Sequence, residues 1–181
     1  MKATLKFLLT LTVALLIMLA FRALVFTIYT VDGDGLQPEF QKGDRVMVNR
    51  WSYGLRTGSD EGLFSYGRLC RQQIEKGDIV AFEDPRDDSR NTVLFGRCRA
   101  LPGDTVRYRG YVELVPSLKN CADADYYWMQ ALNEDNPLDS RQLGFISEQL
   151  IIGRAFLIVF SHDNAKPFWA GYQHDRLLLL K

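Results

Sequence analysis

The sequence predicts a mostly β, antiparallel domain standing behind one N-terminal transmembrane helix, and three observations carry that prediction. Apolar residues crowd the start of the chain, where only Lys6, Thr10 and Thr12 interrupt residues 5–21. Beyond Arg22 the apolar residues fall into short runs rich in β-branched and aromatic side chains, the composition of strands. Several of those runs begin just after a Gly-Asp turn signal.

The first element is the anchor. Residues 5–21 approach the ~17 to 25 apolar residues that a helix needs to cross a bilayer. Lys2, Lys6 and the amino terminus precede the run and only Arg22 follows it closely, so the positive-inside bias leaves the N-terminus in the cytoplasm. Arg22 can snorkel to the outer interface. A cleavable secretory signal shares the basic start, but no small-x-small site ends the run and apolar residues continue through 23–31. The expected division is therefore residues 1–22 as cytoplasmic start and anchor, and residues 23–181 as one domain on the external or periplasmic face.

The body follows in order. Val46-Met47-Val48, Ile79-Val80-Ala81-Phe82, Thr92-Val93-Leu94-Phe95 and residues 155–160 read as strands. Lys42-Gly43-Asp44, Lys76-Gly77-Asp78 and Pro102-Gly103-Asp104 read as tight turns in which glycine supplies the conformation other residues resist. Residues 84–89 and 117–125 read as exposed loops, and residues 147–152 as a short helical turn. The closing Leu177-Leu178-Leu179-Leu180-Lys181 is too short to span a membrane and reads as a final strand or packing tail. No repeat, low-complexity tract or long amphipathic helix intervenes, which leaves an antiparallel β domain.

Composition excludes several classes of function. Acidic and basic residues balance at 22 each, so no strong field draws in nucleic acid, and none is expected as a partner. Cys70, Cys98 and Cys121 are widely spaced with no Cys-x-x-Cys pair, which suggests neither zinc nor a redox motif. A disulfide and free buried thiols both remain open. His162 and His174 lack ligand spacing, and neither a metal nor any other cofactor is expected.

Four stretches in order then carry a resemblance. They are Asp32-Gly33-Asp34-Gly35-Leu36-Gln37-Pro38 with Lys42-Gly43-Asp44-Arg45-Val46-Met47-Val48; Gly77-Asp78-Ile79-Val80-Ala81-Phe82 with Pro85; Leu101-Pro102-Gly103-Asp104; and Asp139-Ser140-Arg141 with Gly144 and Ile152-Gly153-Arg154-Ala155. Together they resemble type I signal peptidases, the membrane-bound serine-lysine peptidases. The resemblance implies a mostly β, signal-peptidase-like domain on the outer face of the cytoplasmic (inner) membrane of a bacterium, single-pass, with an apolar surface resting on the bilayer.

It also implies which residues should do chemistry, and here the chain departs from the pattern. Counting from Pro38, the family's serine nucleophile falls on Gly35, its methionine on Leu36 and its oxyanion-binding serine on Gly33. Counting from residues 101–104, with Arg97 on the family's arginine, the lysine base falls on Gly96. Where the family has Gly-Asp-Asn, this chain has Ala131-Leu132-Asn133. No catalytic residue is therefore expected. Asp139, Ser140 and Arg141 are expected to be scaffold near the site, and Leu36, Pro38 and Phe95 to be candidate peptide contacts.

No substitute for the missing pair is visible. Asp32 and Asp34 could share a proton, but Asp-Gly-Asp-Gly is a common turn composition and such dyads join two separate loops. A calcium loop would need a closing glutamate that is absent. Thr30, Lys42 and Ser52 read as solvated strand-end residues, and Trp51, Phe64 and Trp169 as either outer-leaflet or core aromatics. The expected function is a catalytically inactive homologue that binds signal peptides or an active peptidase partner, with extra room beside Gly35 and Gly96 as the mark of peptide binding. The alternative is an active signal peptidase that removes signal peptides with displaced residues or a partner's.

Overall fold

The computed structural model describes residues 2–31, 40–41, 43–58, 66–87, 92–108, 110–120, 122–132, 138–161 and 171, with the side chains of residues 2, 3 and 20–24 excepted. Asp32, Gly33, Asp34, Gly35, Leu36, Pro38, Lys42, Phe64, Cys121, Asn133, His162, Trp169, His174 and the C-terminal leucines lie outside the described residues.

The apolar start folds as one helix, α1 (Lys2–Val25). Its described apolar side chains, from Leu5 to Leu19, are exposed on every side, with no polar stripe. The Thr10 and Thr12 hydroxyls donate to the carbonyls of Lys6 and Leu8, each at 2.9 Å, and so spend their polarity on their own helix. The expected membrane crossing is not recovered here: among the described residues no helix is long and apolar enough to cross a membrane.

Without any linker α1 passes into β1 (Phe26–Thr30), in residues that read from sequence as a continued apolar run. Phe26-Thr27-Ile28-Tyr29-Thr30 is all β-branched or aromatic, and that composition turns helix into strand. The strands that follow are β2 (Asp44–Asn49), β3 (Leu55–Thr57), β4 (Gly67–Leu69), β5 (Ile79–Glu83), β6 (Val93–Ala100), β7 (Thr105–Tyr108), β8 (Tyr111–Leu114) and β9 (Tyr126–Gln130). A one-turn helix α2 (Ser140–Leu143), then β10 (Ile146–Ser147) and β11 (Ile151–Ser161), complete the described fold. The turn glycines behave as the sequence requires: φ is 98° at Gly77 and 87° at Gly103. The helical turn expected over residues 147–152 is a 3-10 turn of Glu148–Leu150, after which the chain extends at once into β11.

Among the described residues, seven strands form one antiparallel sheet in the order β1-β2-β11-β5-β6-β9-β10, with β3-β4 and β7-β8 as separate hairpins. The last of the described strands in sequence is thus central in space. β11 pairs with β5 through residues 151–154 and with β2 through residues 154–161, and its register shifts three times. Such bulges bend a sheet. The bend is measurable, because the Tyr29 ring on β1 lies 6.4 Å from Phe95 on β6. Four flat interstrand steps would separate those strands by about 19 Å.

Every residue of β5 is buried, which accounts for its unbroken apolar run. Ile79 and Ala81 pack on the concave face with Val31, Phe40, Val46, Val48, Phe95 and Ile158. Val80 and Phe82 pack on the other face with Tyr53, Ile74, Cys98, Met129 and Ile151. Where β11 crosses β2, Gly153 has no room for a side chain: an added Cβ would collide with the Asn49 carbonyl and lie 2.9 Å from the Cα of Arg50.

Candidate functional site

The segment that carries the vacated nucleophile position, residues 32–39, lies outside the description, but both of its ends are fixed. Val31 donates to the Asp44 carbonyl at 2.8 Å and accepts from Gly43 at 3.0 Å. Phe40 is fully buried, 5.6 Å from the Phe95 ring between centroids. Both ends therefore anchor in the concave cluster that holds Phe95, which is itself 3% exposed.

Gly96, the vacated base position, pairs with Val80 in the centre of the sheet and faces away from Phe95. An added Cβ there would lie 3.2 Å from the Gln130 carbonyl oxygen, 3.2 Å from Met129 Cβ and 3.3 Å from Phe82 Cε1. The surroundings remain as apolar as a neutral lysine base would need. The extra room expected at Gly96 is absent, however. Met129 and Phe82, packed to the density of any core, occupy the space beside the glycine. That finding counts against a peptide held beside this position.

Asp139, Ser140 and Arg141 close the edge of β9. The Ser140 hydroxyl accepts from Met129 N at 2.9 Å and the Asp139 carboxylate from Ala131 N at 3.0 Å. Asp139 also caps α2 by accepting from Arg141 N and pairs with the Arg141 guanidinium at 2.9 Å. Beyond the short pairing of β9 with β10, side chains thus take the place of a further strand. Ala131, one of the departures from the family pattern, enters this contact through its backbone N–H.

Other polar groups are spent on structure. Asp78, buried, accepts from the Tyr53 hydroxyl at 2.9 Å and pairs with Arg154 at 3.2 Å. Burial, then the Asp78 and Asp104 charges, pushes the Cys98 thiol up to about 12, so it stays protonated. Cys70 and Cys98 are free thiols, one exposed and one buried. Trp51 is 40% exposed rather than part of the core, and lies beside Arg50, whose amide bonds the last carbonyl of α1 at 2.9 Å.

Sequence reasoning missed the arginines that dock the β3-β4 hairpin. Arg68, its side chain 2% exposed, donates to the carbonyls of Gly54, Glu148 and Ile151 and to the Tyr66 hydroxyl. Arg71 reaches both Asp125 and Glu148 at 2.6 Å. Arg56 bridges the Gln149 carbonyl at 2.8 Å and the Glu83 carboxylate at 2.7 Å. The available signal was a glutamate closing an otherwise apolar strand.

Comparisons with known proteins find signal peptidases. Signal peptidase I of Pseudomonas aeruginosa is 25% identical, over 84% of this chain and 71% of that protein. Inactive signal peptidase IA of Staphylococcus aureus is 26% identical, over 87% of this chain and 92% of that protein. Signal peptidase I V of Bacillus subtilis is 32% identical over 47% of this chain and 39% of that protein. The family model described as "Signal peptidase, peptidase S26" matches residues 4–115, from α1 through the β7-β8 hairpin. With more than half of the chain inside that match, and with the curled antiparallel sheet it leads one to expect, the chain belongs to the signal peptidase S26 family.

Proposed function

We propose that this chain is a membrane-anchored signal peptidase homologue that engages polypeptide without cutting it. The observation that carries the reading is Gly96: at the family's base position there is no side chain, and Phe82 and Met129 occupy the space beside it. The likeness to a protein named Inactive signal peptidase IA, nearly end to end in both chains, supports it. Removing one member of a catalytic pair typically costs several orders of magnitude, and both members are replaced by glycine.

Anchoring is supported by the apolar, stripe-free surface of α1, by the self-satisfied threonines, and by the exposed Trp51 beside the helix-strand junction. Because the space at Gly96 is closed, polypeptide docks instead along β1, whose only partner among the described residues is β2. An open strand edge supplies main-chain hydrogen bonds without catalysis. The polypeptide is a signal peptide or a segment of an active peptidase.

The test is cleavage of a preprotein in liposomes by the purified chain and by a Gly35→Ser plus Gly96→Lys double variant. An inert parent chain is expected. Cleavage by the parent chain, free of contaminating peptidase, would establish the alternative of an active enzyme with another nucleophile. Resistance to alkaline carbonate extraction, lost when residues 2–22 are removed, is the expected sign of the anchor.

A further inference from the structure

The β7-β8 hairpin stands apart from the seven-stranded sheet, and all four residues of β8 are exposed. Among the described residues β8 has β7 as its only strand partner. Which backbone groups are left over follows from the residue just past it. Val115 turns both of its groups toward the β7 side, its N–H donating to the Asp104 carbonyl at 2.8 Å and its carbonyl accepting from Gly103 at 3.0 Å. Backbone groups alternate sides along a strand, so Tyr111 and Glu113 also face β7 while Val112 and Leu114 point their N–H and C=O groups away from it. Nothing blunts this edge: Tyr111-Val112-Glu113-Leu114 holds no proline, no lysine and no register shift.

The side chains narrow the partner. Val112 and Leu114, on the face opposite Val106, are exposed apolar residues. A bilayer would take those side chains but offers no hydrogen bond to the edge backbone. A second copy of β8 offers both. Around a twofold axis an antiparallel pair of identical edges must centre on one residue, because residues that face each other share a side of the sheet. Centring on Glu113 sets two carboxylates opposite each other with Cα atoms about 4.5 Å apart, which is unfavourable. Centring on Val112 lets Val112 exchange both backbone bonds with its copy and sets Leu114 opposite Gly110 of the partner subunit. It also brings Tyr111 opposite the partner's Glu113, a hydroxyl donor against a carboxylate acceptor. The charge on Glu113 thus selects one register, and that register is self-complementary.

We propose that β8 is the contact strand of a symmetric homodimer, in which the β7-β8 hairpins of two copies join edge to edge as one four-stranded ribbon with Val112 at the twofold axis. The contact uses a different strand from the engagement of polypeptide along β1, and it holds whether or not the chain cleaves.

The experiment uses the full-length chain in detergent micelles, with Cys70→Ser and Cys121→Ser so that only the buried Cys98 remains. Sedimentation is expected to show a monomer-dimer equilibrium that Val112→Lys weakens roughly tenfold, since two ammonium groups then meet at the axis. Because Val112 is 63% exposed in the single chain, the far-UV circular dichroism and thermal midpoint of dilute Val112→Lys should match the parent. Register is read by oxidation with copper phenanthroline. Val112→Cys is expected to give a covalent dimer, because the two Cα atoms at this position lie about 5.5 Å apart, within disulfide reach. Glu113→Cys is expected to crosslink far less, because the two copies of that position are diagonal neighbours about 7–8 Å apart. A monomer at every concentration, a dimer unaffected by Val112→Lys, or crosslinking through Glu113→Cys in preference to Val112→Cys would each overturn the contact. In liposomes of phosphatidylethanolamine and phosphatidylglycerol, protection of the Val112→Cys thiol from a water-soluble maleimide without a covalent dimer would place the edge in lipid and overturn it as well.

Discussion

Two glycines with opposite demands set the chemistry at the residue scale. Gly153 faces a backbone carbonyl that cannot yield, so Gly153→Ala is expected to cost about 3 kcal/mol or more, read as a lowered thermal midpoint. Gly96 faces contacts of 3.2–3.3 Å, and an alanine there also gains the lower unfolded-state entropy that glycine lacks. Gly96→Ala should therefore change stability by no more than about 1 kcal/mol in the same assay. The thiols divide as sharply. Cys70 is exposed and should react with maleimide in the native protein, whereas Cys98, buried and held protonated, should react only after unfolding. Rapid native labelling at Cys98 would refute its burial.

Edges and clasps decide stability at the scale of elements. Ser140→Ala leaves the Met129 amide buried without its acceptor and should cost about 1–3 kcal/mol. Removing Arg68, as Arg68→Met, takes its donors from three carbonyls at once and leaves the Glu148 carboxylate to Arg71 alone. The β3-β4 hairpin should then become a site of early proteolysis while the seven-stranded sheet persists. Strands were legible in sequence where burial is two-sided or the alternation unbroken, as in Val46-Met47-Val48 and Ile79-Val80-Ala81-Phe82. They were not legible where local composition is mixed. β6 extends five residues past the expected run because Arg97 and Arg99 alternate with Gly96, Cys98 and Ala100. β3, β4, β7 and β8 are short; β3 and β4 are held by each other and by the buried Arg68, and β7 and β8 by each other. The vacated base could be placed from the Leu101-Pro102-Gly103-Asp104 turn, but the closing of its surroundings depends on Phe82 and Met129, distant in sequence and adjacent only in the folded sheet.

For the whole molecule, stability should fall at both ends of the pH scale. The Asp84 and Asp104 carboxyls are held below their ordinary value of 3.8, chiefly by hydrogen bonds from Arg86 and Lys76. A depressed acid contributes stability above the unfolded value, and loses it as pH drops through the folded one. Both pairs are partly exposed, so each contributes little. Burial raises Glu148, which works in the opposite sense and favours folding at lower pH. At the alkaline end Cys98 ordinarily ionises near 9.0 but in the fold only at about 12. Its contribution is whole below pH 9 and drains away as pH climbs toward 12, with Tyr53 and Tyr127, also raised by burial, adding to the loss. Thermal midpoints measured from pH 2 to 12 should trace a plateau with a fall on each side, and Cys98→Ser should soften the alkaline arm.

The central place of β11 has a consequence for how the chain is made. The strand that fills the gap between β2 and β5 leaves the ribosome after both of them, so each waits with an unpaired edge until residues 151–161 arrive. A nascent chain stalled before Ile151 should remain unfolded and protease-sensitive. Folding of this domain is thus held back until β11 itself has been synthesised.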